Sequence, residues 1–134
     1  MRPGIHPQVR RRALIALGIF LALGAGAAGL LLLRPSCLIL EYTGFYCAGC
    51  GTQRMVLALL RGDLKSAAGL NIFMLAALPA AGIYAAIEAV RYVRGERLLC
   101  RAKGFVPVLL GVLAAAAVFT LLRNQPGLRW LAPA

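Results

Sequence analysis

Three cysteines stand within fourteen residues of this chain. Cys47 and Cys50 form a C-x-x-C unit with Gly51 behind it, and Cys37 precedes Cys47 by ten residues. Three kinds of chemistry suit that spacing. Two thiolates spaced C-x-x-C can share one zinc ion, and a glycine after the second frees backbone N–H groups to bond sulfur. A thiol pair just before a helix N-terminus gains thiolate stabilisation from the helix dipole and suits thiol–disulfide redox work. A structural disulfide from Cys37 to Cys47 or Cys50 would staple the segment on an oxidising side of a membrane, but it leaves one cysteine over. A closed metal site needs four ligands. Cys37 supplies a third, and Asp63 or a second copy of the chain could supply the fourth. No general base, nucleophile pair or carboxylate dyad accompanies the thiols, so a binding or accessory role is favoured over an enzyme.

The polar residues that could serve this segment are few. Arg54, Asn71, Arg123 and Asn124 are set against long apolar stretches. Polar groups at membrane depth are costly and face partners or a ligand. Arg54, Asn71 and Arg123 are therefore expected to converge on the cysteines, although anchoring at the interface would also explain the two arginines. Arg61, Lys65 and Arg129 read as ordinary headgroup contacts. His6, alone in the terminal arm, reads as solvated. Cys100, alone in a basic loop, reads as a small apolar residue or a lipidation target.

The elements that must position these residues are apolar. Of 134 residues 61% are hydrophobic and only 14% charged, against about a quarter charged in soluble domains. Ala13 to Leu33 carries no charge, and its length matches the roughly 30 Å of a bilayer core. A signal peptide with Ala25-Gly26-Ala27 as its cleavage site is the rival, but the apolar run continues past that site, which favours a retained helix. Ala22, Ala25, Gly26 and Gly29 give small-xxx-small spacing suited to close helix packing. Spans are expected over 13–33, 70–90 and 105–122. Arg34-Pro35 should stop the first, and Pro79 should kink the second. Glu88 is placed to pair with Arg91. Between the first two spans the sequence predicts an irregular loop over 37–51. A short interfacial helix over 53–61 follows, capped by Thr52 and ended by Gly62, and then Asp63 caps a further helix. Trp130 reads as an interfacial anchor. The domain plan is a poorly ordered basic arm over 1–12, one membrane domain over 13–126 and a tail over 127–134.

The 15 Lys and Arg against four Asp and Glu would point to nucleic acid in a soluble protein. Here the cations cluster at the ends of apolar runs, which points to anionic headgroups instead. With the N-terminus in the cytoplasm, nine of the 15 cations fall on the cytoplasmic side and six on the other. That split orients a multi-pass protein of the cell membrane with its cysteine segment extracytoplasmic. A second copy or another membrane protein is the further partner to expect.

The run Cys37…Thr43-Gly44-x-x-Cys47-x-Gly49-Cys50-Gly51-x-Gln53-Arg54, then Leu59-Leu60-x-Gly62-Asp63 and Asn71, resembles the bacterial family known as domain of unknown function 2752. Leu122-Arg123-Asn124-x-Pro126 is similar to that family's C-terminal motif. Leu38, Ala48 and Ile72 stand where the family carries proline, and Gln53 where it carries threonine; no candidate ligand is lost. The resemblance implies a small multi-helix membrane protein with a cysteine motif, and no activity. The expected architecture is therefore an all-α integral membrane protein with three transmembrane helices and a cysteine loop plus short interfacial helix between the first two.

Overall fold

The computed structural model describes residues 7–33 and 36–132, the side chains of residues 129 and 130 excepted. The expectations for residues 1–6, for the Arg34-Pro35 stop and for the Trp130 side chain lie outside the described residues. The architecture is all-α: α1 (Pro7–Leu33), α2 (Leu38–Thr43), α3 (Thr52–Leu60), α4 (Leu64–Arg94) and α5 (Phe105–Arg123), with 3-10 turns at Leu99–Arg101 and Pro126–Leu131. Helices α1, α4 and α5 are each long and apolar enough to cross a membrane. The spans bury little side-chain surface against one another, as lipid solvates apolar residues as readily as a protein core does.

Several local expectations change. The basic arm is helical from Pro7 onward, because proline is pre-organised for the first helical position and arginine is a good helix former. Residues 37–51 are not wholly irregular, since α2 forms within them and ends at Gly44 in the left-handed region. Thr52 does not cap α3 from outside. Gly51 holds the cap position at φ 84, and Thr52 is already helical, with its Oγ1 donating to the Gly49 carbonyl at 2.7 Å. Gly62 ends α3 as expected, at φ 78. Its N–H donates to the Leu59 carbonyl, and the Asp63 N–H reaches back to Ala58. These are the two bonds of a Schellman stop, which needs a residue that tolerates positive φ. Asp63 then caps α4, accepting from the Ser66 N–H at 3.0 Å.

The second span is interrupted, but not by Pro79. Its backbone leaves helical angles at Asn71 (φ −164, ψ 87), while Pro79 sits inside the helix. A proline lacks only one hydrogen bond, and that is tolerable where neighbours re-satisfy the carbonyl. The side chain of Asn71, by contrast, competes directly for backbone partners. Glu88 likewise departs from expectation. It accepts from Tyr84 Oη at 2.8 Å and from the backbone N–H groups of Leu99 and Cys100 at 2.9 and 2.7 Å. Arg91 pairs with Glu96 instead, at 3.9 Å. Of the small residues of α1, Gly26 and Gly29 have nothing within 4 Å of a Cβ built on them among the described residues.

Packing is concentrated at one end of the spans. Met55, Ala58 and Ala67 are buried, with Val56, Leu59, Leu70, Met74 and Leu75 around them, so the core lies between α3 and the first turns of α4. Helices α4 and α5 meet through aromatic pairs, Phe73 on Phe119 and Tyr84 on Phe105, with ring centroids 5.4 and 5.9 Å apart. At the opposite end the Arg12 guanidinium lies against Gly95, just past the C-terminus of α4, where a cation complements the helix dipole.

Candidate metal centre

The chain from Cys37 to Leu64 folds back on the ends of all three spans. Cys37 sits at the N-terminus of α2, Cys47 and Cys50 in the turn before α3. That turn is closed by the Cys50 N–H donating to the Cys47 carbonyl at 3.1 Å, and the Cys47 N–H donates to Cys50 Sγ at 3.3 Å. Backbone donors aimed at sulfur favour thiolate character. The sulfurs of Cys47 and Cys50 are 3.3 Å apart, and those of Cys37 and Cys47 are 3.5 Å apart. All three lie within 4.8 Å of one another, and all are free thiols.

These separations can be set against two geometries. A disulfide needs sulfurs about 2.05 Å apart. Ligands 2.3 Å from a tetrahedral zinc stand about 3.8 Å from one another. The separations of 3.3 and 3.5 Å lie nearer the second arrangement, and the three residues could hold a metal ion. It offers three ligand atoms among the described residues and no fourth from Asp, Glu or His. Asp63, the expected fourth candidate, is committed to capping α4.

Burial divides the thiols. Cys50 is buried at 4% exposure, Cys37 and Cys47 are half-buried. Burial first, then its two sulfur neighbours, push the Cys50 thiol up to about 12. Cys37 is held below the ordinary thiol value, chiefly by the backbone N–H of Leu40 in the first turn of α2 and then by the Cys50 side chain. Cys37 is thus the easier of these two thiols to ionise and Cys50 the harder.

Three residues from distant parts of the chain hold this segment. Asn71, 1% exposed, donates from Nδ2 to the carbonyls of Ala48 and Cys50 at 2.8 and 3.1 Å and to Thr52 Oγ1 at 3.3 Å. Its Oδ1 accepts the Met74 N–H at 3.0 Å. In an unbroken helix that N–H would serve the Leu70 carbonyl. Here the Leu70 carbonyl accepts from Arg123 Nη2 at 2.7 Å. Arg123, also 1% exposed, gives Nη1 to the carbonyls of Cys47 and Cys50 at 3.2 and 2.8 Å and Nε to Leu131 at 2.7 Å. Its guanidinium carbon lies 5.2 Å from the Phe119 ring centre. Asn124 pairs with both backbone groups of Tyr46, accepting its N–H at 2.9 Å and donating to its carbonyl at 2.8 Å.

Of the three residues expected to converge on the cysteine segment, Asn71 and Arg123 are hydrogen-bonded to it, with Asn124 beside them. Arg54, the third, lies beside the cysteines on the cavity side. It is exposed and lines a cavity of about 610 Å³ that also takes in Cys37, Cys47, Cys50, Thr52 and Gln53. Two contributors were missed at the level of sequence. Gln53 ties α3 to the first span, its Nε2 donating to the Leu30 carbonyl at 2.8 Å. Phe119 lies under the Arg123 guanidinium, a contact its spacing one turn before Arg123 could have signalled.

Residues 37–85 match the family described as Protein of unknown function (DUF2752). The matched stretch contains the three cysteines, Arg54, Asp63 and Asn71; Arg123 and Asn124 lie beyond it and reach it only through the fold. No curated protein and no solved structure matches the chain.

Proposed function

We propose that this chain is a membrane-embedded binding or accessory module built on a three-thiolate site for a soft metal ion, zinc first among them. The observation that carries the reading is the mutual approach of the Cys37, Cys47 and Cys50 sulfurs to within 4.8 Å. Its support is electrostatic as well as geometric. Three thiolates in one partly buried cluster repel one another, and a cation at their centre reverses that repulsion. The buried Arg123 guanidinium adds a fixed positive charge on the far side of the Cys47 and Cys50 carbonyls.

The test is metal analysis with thiol counting on the full chain, purified in detergent with a phosphine reductant. Near-stoichiometric zinc is expected, with Cys37, Cys47 and Cys50 protected from alkylation and Cys100 modified. Removing the ion with a chelator should expose Cys37 and Cys47 first. A metal-free protein whose Cys47–Cys50 bond forms and breaks with dithiothreitol would instead make it a thiol–disulfide oxidoreductase.

We place the site on the extracytoplasmic face of the cell membrane, in contact with anionic headgroups, with either a second copy or another membrane protein as its partner. The nine-to-six division of cations supports this orientation. The three-span fold puts the end of α5 on the same side as the segment that follows α1, since Arg123 bonds the Cys47 and Cys50 carbonyls. Chelator-treated intact cells should label Cys47 with a membrane-impermeant thiol reagent. Labelling that requires permeabilisation would reverse the orientation.

A further inference from the structure

The end of the spans opposite the thiols carries positive charge that no acidic side chain neutralises. Arg10, Arg11 and Arg12 lie in the first turns of α1. Successive helical residues are turned about 100° from one another, so the three do not share a face. The Arg12 guanidinium lies against Gly95 at the end of α4. Arg10 and Arg11 are exposed and line an open groove of about 720 Å³ with Pro7, Leu14 and Ile15. The chain has four acidic side chains, and each is placed elsewhere. Glu41 accepts from Ser36 Oγ, and Asp63 caps α4. Glu88 accepts from Tyr84 and from the Leu99 and Cys100 N–H groups. Glu96 lies 3.9 Å from Arg91. Among the described residues no side-chain hydrogen bond or ion pair engages Arg10 or Arg11.

The other half of the groove is apolar. Leu14 and Ile15 are 59% and 40% exposed and stand one turn further along α1, about 6 Å deeper into the span. A guest therefore meets cations at one end and apolar surface at the other. Guanidinium forks suit phosphate oxygens. With no carboxylate beside them, nothing receives the ammonium of a zwitterionic headgroup. A basic groove continuous with a spanning helix suits an anionic lipid rather than a dissolved anion or an acidic peptide. Independently of the metal reading, we infer that Arg10, Arg11, Leu14 and Ile15 form a site for one anionic phospholipid. Its phosphodiester faces the two guanidinium groups, and an acyl chain runs over Leu14 and Ile15.

The experiment titrates the full chain in detergent with phosphatidylglycerol or phosphatidylcholine and counts bound lipid by native mass spectrometry. Phosphatidylglycerol should bind as a single tight adduct, and phosphatidylcholine about tenfold more weakly or worse. Arg10→Gln combined with Arg11→Gln should weaken phosphatidylglycerol binding about tenfold or more, and Leu14→Ser should weaken it as well. Arg101→Gln combined with Lys103→Gln removes the same charge from the basic loop after α4 and should leave the affinity nearly unchanged. On the unaltered protein, a photoreactive phosphatidylglycerol should cross-link within residues 7–15, a result that depends on no variant's folding. Equal affinity for the two lipids, equal loss in the two double variants, or cross-links confined to other segments would overturn the site and leave only a diffuse field. Glycerol 3-phosphate that displaces the lipid at equal concentration would overturn the lipid as occupant in favour of a soluble phosphate.

Discussion

Replacing Arg123 by alanine should unfasten the cysteine segment from the spans. The side chain is buried, and its three nitrogens serve four backbone carbonyls, those of Leu70, Cys47, Cys50 and Leu131. The four are not equally exposed to its loss. The Cys47 carbonyl keeps the Cys50 N–H, and the Cys50 carbonyl keeps Asn71 Nδ2. The Leu70 carbonyl has already given up the N–H that would normally reach it, which goes to Asn71 Oδ1. Stranding even one or two buried carbonyls costs about 1–3 kcal/mol each. A loss on the order of 3 kcal/mol or more is therefore expected in detergent unfolding, together with protease cutting between 37 and 51 and faster alkylation of Cys50. Arg123→Lys should rescue little. One ammonium cannot reproduce a planar fork whose ends lie on three different segments. A lysine variant as stable as the parent would show that charge alone, not the fork, fastens the segment.

The second large effect is expected at Asn71, and here the order of substitutions is informative. Asn71→Leu keeps the branching at Cγ but withdraws donors from Ala48, Cys50 and Thr52 and the acceptor from Met74. Part of that loss is recoverable, since a leucine lets the helix run on and returns the Met74 N–H to the Leu70 carbonyl. The net cost should be about 1–3 kcal/mol. Asn71→Asp should be worse despite its nearly identical shape. It keeps an acceptor for Met74 but turns a carboxylate oxygen toward two carbonyl oxygens in a buried place. The alkylation rate of Cys50 and the unfolding midpoint report the ranking; an aspartate variant milder than the leucine one would contradict the hydrogen-bond assignment. Arg123 and Asn71 share the Cys50 carbonyl and divide the interrupted helix bond between them, Asn71 taking the Met74 N–H and Arg123 the Leu70 carbonyl. The double variant should therefore depart from additivity by about 0.5–3 kcal/mol, as residues in one network do.

This network shows why a membrane protein with so little buried surface has a defined site. Its apolar residues are satisfied by lipid and say little about which helix faces which. Backbone carbonyls near the interface are different: each must find a donor, and few donors are on offer. Asn71, Arg123 and Asn124 supply them to Ala48, Cys47, Cys50 and Tyr46, and so set the position of the thiols. Polar groups placed at cost within apolar segments select one arrangement out of many that lipid would accept equally.

Span existence and class were determined by sequence alone, because charge-free apolar runs of bilayer length admit few other structures. The stop at Gly62 and the cap at Asp63 were equally legible, since each rests on a local backbone rule that no distant contact overrides. The candidate site was legible as a list: three cysteines and the few polar residues able to reach them. Only the tertiary structure decided what each does. Arg123 was readable as an interfacial anchor until its guanidinium was seen bonded to the Cys47 and Cys50 carbonyls. Asn71, not Pro79, breaks the second span, because a side chain that competes for backbone bonds does so only when another segment offers it partners. Asp63 left the ligand set, and Glu88 left Arg91, for the same reason. Hydrogen bonds are short-ranged and directional, so their partners are fixed by three-dimensional approach and not by spacing along the chain.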